Sequence, residues 1–164
     1  WDQTINQIGF NSKDSKLNIF SIVHQSHYIS AYRMYLDNKI LGIGIRNFRN
    51  FCNEEKYKTH ELSCSTHPHN TYVQLLSETG LIGFSFGLVL FLYFSFKSFN
   101  HLKGALFEKK YIFSDFQVCL LAALLITIWP FAPSGNFFNN WVSIIYFYPV
   151  GFFLWSLKKK SISF

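Results

Sequence analysis

The chain has 164 residues, of which 49% are hydrophobic and 20% aromatic, and a formal net charge of +6. A soluble domain of this length can close one core, but it rarely carries 20 Phe besides its Tyr and Trp. Seven of its lysines (Lys97, Lys103, Lys109, Lys110 and Lys158 to Lys160) flank apolar segments, a placement that topology explains better than nucleic-acid binding. The other eight basic residues lie within residues 1–58 beside five carboxylates, as a face for phosphates and anionic head groups or as a solvated surface. Residues 1–79 are mixed and polar, whereas residues 80–164 hold three apolar runs. The chain opens at Trp1 without a signal-peptide pattern, so the expectation is the C-terminal part of a longer membrane protein, inactive by itself.

From the amino end, Ser26 to Ile40 has helical period, with Tyr28, Ile29, Tyr32, Leu36 and Ile40 on one arc and Arg33 at its rim. Gly42 and Gly44 are expected to end this helix, which would lie on a membrane surface or against other spans. A guanidinium at such a rim suits lipid phosphate or a diphosphate, because its fork pairs two oxygens at once. Arg46 and Arg49 follow; ordinary surface or salt-bridge roles are the plainer reading of all three arginines.

Residues 63–83 are the densest in chemistry. Pro68 holds His67 extended, and Asn70 is a good helix N-cap with Thr71 opening the first turn. His69 then stands just before a helix start, where the amide ends disfavour an imidazolium and a neutral imidazole can serve as a general base. The competing readings are plain polar loop residues and a metal site made from Cys64, His67, His69 and the nearby His60. That spacing matches no standard zinc pattern. Cys52 and Cys64 lie where oxidation is permitted, so a disulfide between them is allowed but not fixed. Cys119 is expected to be a packing residue.

Three transmembrane helices are expected at about 81–99, 116–131 and 141–157, with aromatic residues at their ends. The loop 100–114 and the tail at Lys158 to Lys160 are basic, and the break at 132–140 is uncharged. The positive-inside rule then puts loop and C-terminus in the cytoplasm and residues 1–79 in the periplasm. The fold class is therefore all-α, a polytopic helical membrane protein with a partly helical periplasmic loop before three spans. A buried helical bundle of a soluble protein is the alternative.

His69-Asn70, nine residues, then Gly80, two residues and Gly83 resembles the signature of O-antigen ligases and O-antigen polymerases. Arg33, ten residues, then Gly44 resembles a second pattern of that superfamily, and Gly42, Gly44 and Phe48 resemble a third. The resemblance implies metal-independent glycosyl transfer, without cofactor, from undecaprenyl diphosphate in the bacterial inner membrane. The acceptor would be lipid A-core, a growing glycan or, in some branches, a protein hydroxyl. It implies His69 as the base on the acceptor hydroxyl and Arg33 as the counter-charge to the leaving diphosphate, with Arg46 or Arg49 sharing that task. His67 and Asn70 would border the substrate, and Gly44, Gly80 and Gly83 would be structural. Membrane lipids are expected partners and nucleic acid is not. The reading from a different class is a non-catalytic polysaccharide transport or export subunit. The span interiors hold no ionisable residue, with Lys97 and Asp115 at the ends, which counts against it.

Overall fold

A computed structural model describes residues 20–162. Residues 1–19, which open the expected outer segment and include Lys13 and Lys16, lie outside the described residues, as do the side chains of Lys159 and Lys160. All regular structure among the described residues is helical: α1 (Ile22–Asp37), α2 (Phe48–Phe51), α3 (Thr71–Lys103), α4 (Asp115–Thr127) and α5 (Asn140–Ile162), with a π-helical turn at Gly104–Glu108. The chain divides into two compact units. One holds residues up to Phe84 and returns at Pro133–Asn136; the other holds Ser85–Ala132 and the chain from Phe137 onward.

In the first unit, α1 starts at Ser21, whose hydroxyl accepts from the backbone N–H of His24. This satisfies one of the amides that a helix start leaves without a partner. The helix buries Ser26, His27, Ser30, Ala31 and Met34. That inward stripe of small and polar residues lets the following loop approach closely. The apolar arc read from the sequence points the other way: Ile29, Leu36 and Ile40 are exposed, and Tyr32 is 53% exposed. Helical period was thus correct, but hydrophobicity did not mark the packed face. The helix also ends earlier than expected, at Asp37, with the Asn38 N–H bonded to the Tyr35 carbonyl.

Beyond α1 the core is Ala31, Met34, Phe48, Cys52 and Tyr57, flanked by Ile43, Phe51, Cys64 and Val73. Phe48 is fully buried, so truncating it to Ala would cost about 3–5 kcal/mol. A Cys52–Cys64 disulfide closes the loop after α2, with Cα atoms 5.0 Å apart. The Tyr57 hydroxyl donates to Asp37 at 2.8 Å, and Lys56 pairs with the same carboxylate.

In the second unit, Phe94, Phe113, Leu121, Leu124 and Phe153 form the core where α4 packs on α5. Ser114 and Gln117 make a capping box at the start of α4, and the buried Gln117 amide also donates to the Ser156 hydroxyl. Two stretches are long and apolar enough to cross a membrane, Thr71–Glu108 and Asn140–Lys158. The second expected span, at about 116–131, is a helix of 13 residues, about 20 Å at 1.5 Å per residue, shorter than a hydrocarbon core of roughly 30 Å. Pro130, which lacks an amide hydrogen and disfavours helix at Trp129, accounts for its end at Thr127. Cys119 is exposed on this helix, not packed as expected.

Candidate functional site

The site is assembled at the start of α3. The Asn70 side-chain oxygen accepts from the backbone N–H groups of Tyr72 and Val73, capping the helix. The returning segment Pro133–Asn136 is tied to the same place. The Ser134 N–H donates to the His69 carbonyl at 3.0 Å, the Thr71 hydroxyl donates to the Ser134 hydroxyl at 2.9 Å, and the Gln74 amide donates to Asn136.

The two histidines of the motif differ sharply. His67 is buried, and both ring nitrogens are engaged: Nε2 donates to the Ser134 carbonyl at 3.1 Å and Nδ1 lies 2.9 Å from the Thr66 hydroxyl. Its backbone is held too, by Ser65, whose hydroxyl bonds the His67 carbonyl. His69 is half-buried and sits in the left-handed region at φ 59°. Its ring makes no hydrogen bond among the described residues. Instead it packs among three other imidazoles, 4.2 Å from the centre of His67, 5.3 Å from His27 and 5.6 Å from His24.

Burial lowers the pKa of His69, and the neighbouring His67 and His24 push it the same way. His67 is lowered by burial and by Arg49, against the raising effect of its bond to the Ser134 carbonyl. His27 is pushed down to about 4, by burial first and then by His69 and His24, despite donating to the Leu62 carbonyl. His27, His67 and His69 are therefore all held toward the neutral imidazole form. Among the described residues no group of three His, Cys, Asp or Glu side chains is arranged to hold a metal.

The glycines of the motif shape the backbone. Gly42 (φ 67°) and Gly80 (φ 63°) face each other so closely that a Cβ on Gly42 would overlap the Glu78–Thr79 backbone, and one on Gly80 the Ile40 carbonyl. Gly80 breaks α3 with a ψ of −157°. The Gly44 N–H donates to the Glu78 carbonyl at 2.9 Å and the Ile43 N–H to the Ser77 carbonyl at 3.0 Å. At Gly83 a Cβ would press on the Thr79 hydroxyl. Beneath this crossing, the fully buried Glu78 accepts from the Phe48 N–H at 3.0 Å with one oxygen and from Gln74 at 2.9 Å with the other.

The structure brings His67, His69 and Asn70 together, with Arg49 close enough to act electrostatically on His67. Arg33 is not among them. It is exposed and donates to the Lys58 carbonyl at 3.2 Å. From His27 it is six residues along α1, about 9 Å of rise and a third of a turn away. Arg46 is exposed, at φ 62°. Three residues of the site went unrecognised in the sequence: His24, His27 and Glu78. The i, i+3 spacing of His24 and His27, which puts both on one helix face, was the signal available.

Fold and site together define an all-helical, membrane-type protein that gathers polar chemistry at the capped start of its longest helix. Residues 24–92, which contain the four clustered histidines, match the family model described as O-antigen ligase. No curated protein and no solved structure matches the chain. The match supports, in general terms, a function of the O-antigen ligase and polymerase type.

Proposed function

We propose that the chain forms the catalytic part of an inner-membrane glycosyltransferase that moves a glycan from undecaprenyl diphosphate to lipid A-core. In this reading residues 1–79 form a periplasmic segment, residues 80–164 carry the spans, and the C-terminus is cytoplasmic. His69 takes the proton of the acceptor hydroxyl as that oxygen attacks the anomeric carbon. The bond to the diphosphate oxygen breaks, and undecaprenyl diphosphate leaves with the electron pair. Arg33 and Arg46 meet the diphosphate charge, and Arg49, near the histidines, adds to the positive field. A diphosphate is already a good leaving group, so positioning and charge stabilisation supply the rate without a metal.

The observation that carries this reading is the contrast between the two motif histidines. His67 has both nitrogens bonded, while the His69 ring makes no hydrogen bond among the described residues and its charged form is disfavoured. A base for a neutral hydroxyl has these properties. The test is complementation with the full-length protein in a host that makes lipid-linked O-antigen but lacks a ligase. Glycan on lipid A-core is the expected result. Lengthened lipid-linked glycan in a polymerase-deficient host, with no decoration of the core, would instead assign the polymerase reaction.

A further inference from the structure

The imidazole of His27 is one of only two side chains among the described residues that bury a polar atom without a partner. It is 3% exposed, with Nδ1 unpaired; the other is Ser30 Oγ, one turn further along the same face of α1. Such an atom costs about 1–3 kcal/mol and calls for an explanation. With the ring proton on Nε2, toward the Leu62 backbone, the buried and unpaired Nδ1 is a bare acceptor. His69 lies directly beside it, with ring centres 5.3 Å apart and ring planes within 30° of each other. The pair is stacked, and His69 is closer to the His27 ring than His24 is, at 5.3 Å against 6.3 Å between centres.

We propose that His27 is a positioning residue for His69: its Nδ1 accepts the N–H of the His69 imidazolium that forms when the acceptor hydroxyl is deprotonated. The inference rests on His69 being the base. In the resting state both rings are neutral and the acceptor waits unused. Once His69 gains a proton it has two N–H groups and needs a second acceptor, and His27 is the group at hand. The pair does what a histidine and its orienting partner do in other general-base sites, with an imidazole in place of a carboxylate. No net charge is then buried beside His69 before reaction. The titratable groups facing the pair are His24 on α1 and His67 on the opposite segment, with Arg49 behind His67. Phe48, whose N–H is held by Glu78, closes the other side of the His27 ring.

The test compares two substitutions in the full-length protein reconstituted with lipid-linked glycan and lipid A-core. His27→Gln reproduces the donor to Leu62 but removes the δ acceptor; His27→Asn keeps an acceptor at the δ position and gives up Leu62. Positioning of the imidazolium predicts that Gln loses roughly tenfold to a hundredfold in kcat with little change in KM, whereas Asn keeps most of the rate. In Gln the acid limb of the pH–rate profile also moves to lower pH, because the imidazolium has lost an acceptor. A merely structural role predicts the reverse order, since only Gln keeps the bond to Leu62. Equal loss in both variants, or a faster Gln variant, would overturn the proposal. His69→Ala is run alongside. If it stays active, the base reading itself has failed; if it is inactive while Gln outperforms Asn, only the role of His27 has.

Discussion

Among the residues of the site, what distinguishes His69 from its neighbours is what its ring lacks. His67 is locked between Thr66 and Ser134, His24 is bonded to Ser21 and His27 to Leu62, and the His69 ring alone of the four has no hydrogen bond among the described residues. With its pKa lowered by burial and by two imidazoles, the base stays neutral below the ordinary histidine value of 6.5. Transfer should therefore persist on the acid side of pH 6.5 and fall only at lower pH, as a pH–rate profile of the reconstituted protein would show. A second consequence concerns stability. His27 falls from 6.5 to about 4 on folding, so the unfolded chain binds the extra proton between those values. Stability is then full above pH 6.5 and declines as pH drops toward 4, by roughly 2–3 kcal/mol at about 1.36 kcal/mol per pKa unit. Replacing His27 by Phe should flatten that decline in thermal unfolding scans. His69 and Asn70 were legible in the sequence because a helix cap and a motif mark them. His24 and His27 were not, because they join the site from a helix more than 40 residues upstream of His69 in the chain.

The elements are held in register by backbone crossing backbone, and glycine is what permits it. The loop after α1 lies on the break in α3 so tightly that Gly42 and Gly80 leave no room for a methyl group, and both have positive φ. Gly80→Ala should therefore lower the amount of folded protein recovered from membranes, read by thermal unfolding in detergent. Glu78 underpins the same crossing. Glu78→Ala would strand the buried Phe48 N–H at a cost of about 1–3 kcal/mol, and Glu78→Gln, which can still accept from it, should lose less. Here sequence reading succeeded in part. Periodicity found α1, yet the packed face is Ser26, His27, Ser30, Ala31 and Met34, because close approach of a loop rewards small side chains. In α4, apolar composition suggested a full span, and Pro130 ends the helix at 13 residues.

At the scale of the whole molecule, a polar unit carries the histidines and a separate apolar unit carries most of the hydrophobic helix. The first unit's main stretch ends at Phe84, close to the composition change near residue 80. The return of Pro133–Asn136 to the polar unit was not legible, since nothing local to that loop announces its partners at Thr71 and Gln74. The Cys52–Cys64 disulfide closes a loop of 12 residues of separation, for which chain entropy gives about 3 kcal/mol. Reductant or Cys64→Ser should lower the unfolding temperature of the full-length protein by several degrees. The central claim, that His69 is the base of a glycan transfer, is tested most directly by His69→Ala in a ligase-deficient host that makes lipid-linked O-antigen. The expected result is a variant present in the membrane at the wild-type level, no glycan on lipid A-core, and accumulation of glycan on undecaprenyl diphosphate. Decoration of the core at the wild-type rate by that variant would contradict it.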